Sequence, residues 1–191
     1  ILARFSNKLE QNLTNILRQI SYTGIIALGM TFVITSGGID LSVGSMTAFV
    51  GGLSIITLNY FGGGYLALIF TIIFGIIYGF LAGAFNGLVI TKGKVAPFIV
   101  TLGTMAIYRS VILYIADAGE LTTESTVFSK IGMGYFLGIP IPVWVFVALA
   151  FVFHIILNHT PYGRYLSAVG SNERVAKYAA IRVKLIRFWA Y

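Results

Sequence analysis

From Tyr65 to Ile90 the chain carries no charged side chain at all, and this run exceeds the ~20 residues that an α-helix needs to cross the hydrocarbon core of a bilayer. Four further apolar runs, about Ile20 to Thr35, Leu41 to Leu58, Val95 to Ile115 and Ile141 to Leu157, approach that length, with Gly and Pro punctuating the gaps. The composition agrees: 58% of residues are hydrophobic, only 10% are charged, and the mean hydropathy is +0.90, well away from soluble domains. A membrane β-barrel would show short segments of alternating polarity, and none are present. The fold class expected is therefore all-α, a polytopic transmembrane helical bundle.

Residues 1 to 19 mix Arg4, Lys8, Glu10 and Arg18 with Leu9, Leu13, Ile16 and Leu17 at helical spacing, which predicts an interfacial lead-in helix. The chain starts at Ile1, and Leu185 to Tyr191 reads as the opening of a further span, so the sequence is expected to be a fragment of a longer protein. With no cysteine, disulfides and thiolate metal sites are excluded, and His154 and His159 alone make no metal cluster. No cofactor is expected. The net charge of +7 does not point to nucleic acid, because the basic residues sit between spans, the pattern of cytoplasmic loops.

Loop charges orient the spans. Lys92 and Lys94 mark one short loop as cytoplasmic, Asp117, Glu120 and Glu124 against Lys130 mark the next as external, and Arg164, Arg174, Lys177, Arg182, Lys184 and Arg187 return the chain to the cytoplasm. By alternation, Ser36 to Asp40 face inward and the lead-in helix outward. Arg4, Lys8 and Arg18 oppose that last assignment, which predicts either a re-entrant first span or an upstream span that sets the orientation, the second being preferred.

Gly75, Gly79, Gly83 and Gly87 recur every four residues along one face of the third span, a stripe that lets helix backbones approach closely in lipid. Helix packing is the role expected of it. The break between the first two spans is the most polar place in the apolar region, with Ser36, Gly37, Gly38, Asp40, Ser42 and Ser45 close together. Two readings stand side by side. Asp40 is an N-cap for a helix starting at Leu41, or the broken helix lines a solute route with its hydroxyls, carboxylate and unwound backbone.

The run Gly29 to Ser45, with Gly38-Ile39-Asp40-Leu41-Ser42-Val43-Gly44-Ser45 at its heart, resembles the signature of the permease subunits of bacterial sugar ABC importers, the branched-chain amino acid and ribose type of permease. The resemblance continues through Asn12 to Gln19, Lys92-Gly93-Lys94-Val95, Phe98-Ile99, Thr101-Leu102, Arg109, Pro140 to Trp144, His159 to Tyr165 and Gly170 to Glu173. It implies a partial transmembrane permease domain over residues 1–191, in the bacterial inner membrane, for ribose or a related monosaccharide. It also implies a second permease copy (a homodimer), a cytoplasmic ABC ATPase and an extracytoplasmic sugar-binding protein as partners. Phe98, after Pro97, is a pore-lining candidate because aromatic faces stack on sugar C–H surfaces. The pathway set is thus Ser36, Asp40, Ser42, Ser45, Phe98 and Thr101.

Gly93-Lys94-Val95 lacks the earlier Gly and the Ser/Thr of a P-loop, so this chain is expected to be no enzyme and to draw its energy from a partner. The loop 158–184 is the expected contact with that partner: Asn172 to Ile181 reads as a short helix whose Val175, Tyr178, Ala179 and Ile181 are apolar. The resemblance assigns coupling to Gly170, Asn172, Glu173, Ala176, Tyr178, Ala179, Ala180 and Ile181. Relatives resemble Ser-Gly where Ala179-Ala180 stands here, so if that glycine is left-handed, either Ala180 is strained or the turn differs.

Arg109 is expected to reach toward the interface and Asp117, and His154 to bond a carbonyl. Tyr60, Phe61, Tyr65, Tyr135, Phe136 and Trp144 fit interfacial belts. A stand-alone secondary carrier or channel is the competing function, since a broken helix with one carboxylate also suits a coupling ion. A membrane-embedded enzyme finds no nucleophile, base and acid brought together.

Overall fold

The computed structural model describes the backbone of residues 2–191 and the side chains from Gln11 onward. Five helices are long and apolar enough to cross a membrane: α1 (Leu2–Thr35), α2 (Val43–Tyr60), α3 (Tyr65–Thr91), α4 (Pro97–Ile115) and, after the short external helix α5 (Thr126–Met133), α6 (Ile141–His159). The only strands among the described residues are β1 (Tyr135–Phe136) and β2 (Ile139–Pro140), an antiparallel hairpin that delivers the chain into α6. The chain is an all-α, multi-pass membrane protein.

The separate lead-in helix is not observed. α1 is one helix of 34 residues, roughly 50 Å at 1.5 Å per residue, so it crosses the ~30 Å hydrocarbon core with turns to spare. Nothing between Gln19 and Tyr22 interrupts it, because the junction holds no Gly or Pro. The side chains of Arg4, Lys8, Leu9 and Glu10 lie outside the described residues. Nor is the first span re-entrant. Arg18 is accommodated by the external elements instead: its Nη2 donates to Met133 O at 2.6 Å, and its guanidinium lies 5.0 Å from the Tyr135 ring centroid. A cation on the last carbonyl of α5 also suits the helix dipole.

Directions follow from the contacts. α1 and α6 run parallel, Phe146 filling the space over Gly24 and Phe153 meeting Phe32 edge-on at 5.3 Å. α2 and α4 are likewise parallel, Ile112 covering Gly52 and Tyr108 stacking on Phe49 at 5.4 Å. α3 runs antiparallel to α2, joined by Thr57 to Tyr78 at 3.0 Å near one end and by Ser42 to Asn86 at 3.0 Å near the other. At the external end Asn59 Nδ2 donates to Thr122 O at 2.9 Å, and at the opposite end the Lys94 turn and residues 173–187 line one cavity. The Lys94 turn and the segment 173–187 thus share one end of the bundle and the segment around Thr122 lies at the other, as alternation of the spans requires.

The segment expected as a cytoplasmic loop is ordered. It forms α7 (Pro161–Ser171), α8 (Glu173–Tyr178) and α9 (Val183–Phe188), folded around Leu166, Val169, Ala176, Val183, Ile186 and Ala190, with Phe32, Leu157, Tyr162 and Ile181 packed against them. These apolar positions lie too far apart along the chain to read as one periodic stripe, so only their assembly reveals a small core. α9 begins at Val183 and climbs α3 along the glycine stripe: Phe188 lies on Gly87 and Tyr191 on Gly83. Gly75 faces Ser54 of α2, and nothing approaches Gly79. The stripe therefore serves two neighbours rather than one.

Candidate translocation and coupling site

The break after α1 is built by its glycine. Gly37 takes φ +75°, a left-handed value that costs a side-chain-bearing residue about 1–2 kcal/mol. It closes the helix with two bonds, Gly37 N–H to Ile34 O at 2.9 Å and Gly38 N–H to Val33 O at 3.0 Å, the Schellman arrangement. Tyr191 covers Gly38, its hydroxyl donating to Ile39 O at 3.1 Å.

Asp40 is not the N-cap of a helix beginning at Leu41. That helix begins at Val43 with Ser42 before it, and Asp40 Oδ1 accepts from both the Ser42 N–H at 2.7 Å and the Ser42 hydroxyl at 2.6 Å. The shift arises because an aspartate side chain reaches the amide two residues on and forms a local turn. Since the Ser42 hydroxyl spends its proton on Asp40, it can only accept from Asn86, whose Nδ2 lies 3.0 Å away. The chain of donors is thus directed, Asn86 amide to Ser42 hydroxyl to Asp40 carboxylate. It leaves Asn86 Oδ1 buried with no partner.

Of the predicted pathway residues, the structure brings Ser36, Asp40 and Ser42 into the break and places Ser45 in the first turn of α2. Ser36 and Ser42 are fully buried, Ser36 Oγ donating to Val33 O at 2.7 Å. Thr101 is also fully buried, with its hydroxyl on Pro97 O at 2.9 Å. Phe98 is exposed on α4 and does not join them. The set is therefore split: a hydrogen-bonded knot at the break, and an aromatic on an outward face.

The residues expected to couple to an ATPase divide by direction. Asn172 Oδ1 accepts from Arg174 N at 3.0 Å and Val175 N at 3.2 Å, capping α8. Ala176 is buried and Ile181 packs on the same core, so both anchor the helix rather than present it. Val175 and Tyr178 project outward, Tyr178 being 90% exposed, and the exposed Ala179 and Ala180 follow. The exposed apolar surface of α8 is therefore Val175 and Tyr178, with Ile181 facing away. Ala180 has φ +57° and closes α8 with Ala180 N–H to Lys177 O at 3.1 Å and Ile181 N–H to Ala176 O at 3.0 Å. Of the two outcomes expected from the alanine-for-glycine difference, a left-handed alanine or a different turn, the structure has the left-handed alanine.

Glu173 holds α8 to α9, meeting Lys177 Nζ at 2.6 Å and Arg187 Nη2 at 3.1 Å. The Lys177 hydrogen bond, then the Arg187 charge, lower its carboxyl below the ordinary range against the opposing effect of burial. Burial pushes the Tyr162 phenol up to about 12, keeping it neutral where it stacks on Phe32 at 6.3 Å. The platform meets the break through the Tyr191 side chain and, at α7, through a backbone contact. Gly170 of α7 lies so close to Thr35 O that any side chain there would collide with it, and Gly37 sits on the other side of that contact.

Elsewhere, Arg109 is exposed and forms no ion pair among the described residues. His154 Nδ1 lies 3.1 Å from Asn158 Nδ2, an amide partner in place of the expected carbonyl. Trp144 Nε1 donates to Phe136 O at 3.1 Å, fixing the external hairpin. Sequence reasoning missed Asn86 and Tyr191. Asn86 carried a usable signal: an amide inside a span is costly to bury unless it is bonded.

Residues 12–191 match the family described as the permease component of branched-chain amino acid transport systems. The chain is 41% identical over 186 residues to the ribose import permease protein RbsC of Bacillus subtilis, covering 94% of this chain and 55% of that protein. It is 39% identical to the Haemophilus influenzae protein of the same name, with 94% and 56% covered. It is 36% identical to the L-arabinose transport system permease protein AraH of Escherichia coli, with 88% and 51% covered. The chain thus spans about half the length of these relatives. No solved structure matches it.

Proposed function

This chain belongs to the family of permease components of branched-chain amino acid transport systems, and from that premise we propose that it is a membrane-crossing subunit of an ATP-driven importer for a monosaccharide, ribose or a close relative. It works in the bacterial inner membrane beside a second copy of itself. An extracytoplasmic sugar-binding protein delivers solute from outside, and a cytoplasmic ABC ATPase supplies the energy. The relatives named for ribose and L-arabinose favour a monosaccharide. A pathway of hydroxyls, amides and backbone with one carboxylate suits an uncharged polar solute.

The observation that carries the reading is the close contact of Gly170 with Thr35 and Gly37. Force applied by the ATPase to Val175 and Tyr178 passes through the α7–α9 core to Gly170. There it reaches the end of α1 and, through the turn at Asp40, the start of α2. At Gly170 the backbone of α7 lies against the backbone of Thr35 and Gly37 with no side chain between them to absorb the displacement, so α1 and α2 tilt with the platform. That tilt exchanges external for internal access. The Asp40–Ser42–Asn86 chain carries the same motion to α3.

The test is reconstitution of the transporter with its ATPase and binding protein in proteoliposomes. Sugar-stimulated ATP hydrolysis and uptake are expected, and Gly170→Ala is expected to retain basal hydrolysis while losing uptake. Uptake by the permease alone, without ATP, would overturn the reading in favour of a secondary carrier.

A further inference from the structure

We propose that the cavity between the α3–α4 turn and the α8–α9 pair binds the phosphate of an anionic phospholipid at the cytoplasmic surface of the membrane. The cavity has a volume of about 450 Å³ and is lined by Lys94, Lys177, Lys184 and Arg187 against the single carboxylate of Glu173. That carboxylate is already committed, one oxygen to Lys177 and the other to Arg187. Lys94 and Lys184 have no ion-pair partner among the described residues, and Arg187 Nε is buried with no hydrogen-bond partner. Four cations facing one occupied anion leave a site that a doubly oxygenated anion completes. The start of α4 adds its positive helix end at Pro97.

The position selects a lipid over a soluble anion. The cavity wall includes Ile90 and Thr91 at the end of α3 and Pro97 at the start of α4, which places it at headgroup depth. Phe98 and Ile99, immediately beyond, are exposed on the α4 surface and offer an apolar track for acyl chains. Basic pockets between spans on the cytoplasmic side are the sites where anionic headgroups are held. This gives Phe98 a lipid-facing role and the Lys94 turn a ligand. The site is independent of the solute carried.

The experiment is native mass spectrometry of the intact transporter assembly released from detergent, titrated with phosphatidylglycerol or with phosphatidylcholine of the same acyl composition. Phosphatidylglycerol is expected to be retained roughly tenfold more tightly, and the Lys94→Gln/Lys184→Gln pair to abolish that preference, each lysine supplying part of the headgroup attraction. Both lysines are exposed, so folding should survive, as an unchanged melting temperature would verify. Lys130→Gln at the external end should leave the preference intact. Equal retention of the two lipids, or an unaltered preference in the double variant, would overturn the proposal. Displacement by millimolar glycerol phosphate would overturn it too, by assigning the site to a soluble phosphate ester. So would a preference present in the isolated permease and absent from the assembly, because an acidic side chain of the ATPase would then fill the cavity.

Discussion

Replacing Ala180 with glycine should stabilise the cytoplasmic platform. Ala180 sits at φ +57°, where a Cβ costs about 1–2 kcal/mol; the freedom that glycine adds to the unfolded chain offsets about 0.4–1 kcal/mol of the relief. The net gain is centred on about 0.8 kcal/mol within a range of about 0–1.6, or roughly fourfold at its centre in a local opening equilibrium. No contact is lost, because Ala180 is exposed and both closing bonds, to Lys177 O and Ala176 O, are made by backbone. Hydrogen exchange followed by mass spectrometry should show slower exchange by that factor across 173–187, where opening of the platform exposes the Ile181 amide. Ala180→Val should accelerate exchange in the same peptide, since a β-branched residue fits a positive φ still less well. If glycine gave no protection while valine was neutral, Ala180 would not be left-handed in solution, and the closure described for α8 would be wrong.

Ser42→Ala should lower stability by about 1–3 kcal/mol, because it strips a hydrogen bond from a buried carboxylate and leaves the Asn86 amide unpaired; a thermal melt in micelles would read it, and a neutral result would sink the donor chain. Glu173 has a depressed carboxyl, so its contribution is present above the ordinary carboxylate range and is lost as pH falls through the folded-state value. Exchange across α8 and α9 should therefore be steady from neutral to mildly acidic pH once corrected for intrinsic rates, rising only in more acidic solution. Glu173→Gln should remove that step, and with the carboxylate partly exposed its size should stay under about 1 kcal/mol. Gly87→Val should detach Phe188 from α3 and cost about 1–3 kcal/mol by overpacking, whereas Gly79→Val, facing open space, should cost far less; equal effects in the two melts would refute the division of the stripe.

The amino-acid sequence by itself determined the solvent and the spans, because hydrocarbon tolerates neither charge nor unpaired backbone, and its loop charges set the alternation expected of them. It also located the break at Gly37, since backbone closure is a property of a few adjacent residues, while at Ala180 it left open a strained left-handed residue or a different turn, and the structure shows the first. Only the tertiary structure decided what depends on distant neighbours. It showed that Ala176 and Ile181 face inward while Val175 and Tyr178 face outward, and that Asp40 turns onto Ser42 while Asn86, far along the chain, completes the bonding. It also assigned Gly83 and Gly87 to Tyr191 and Phe188, and set Gly170 against Thr35. Periodicity reports which residues can share a face of one helix; which other element occupies that face is settled by long-range packing, about which spacing along the chain says nothing.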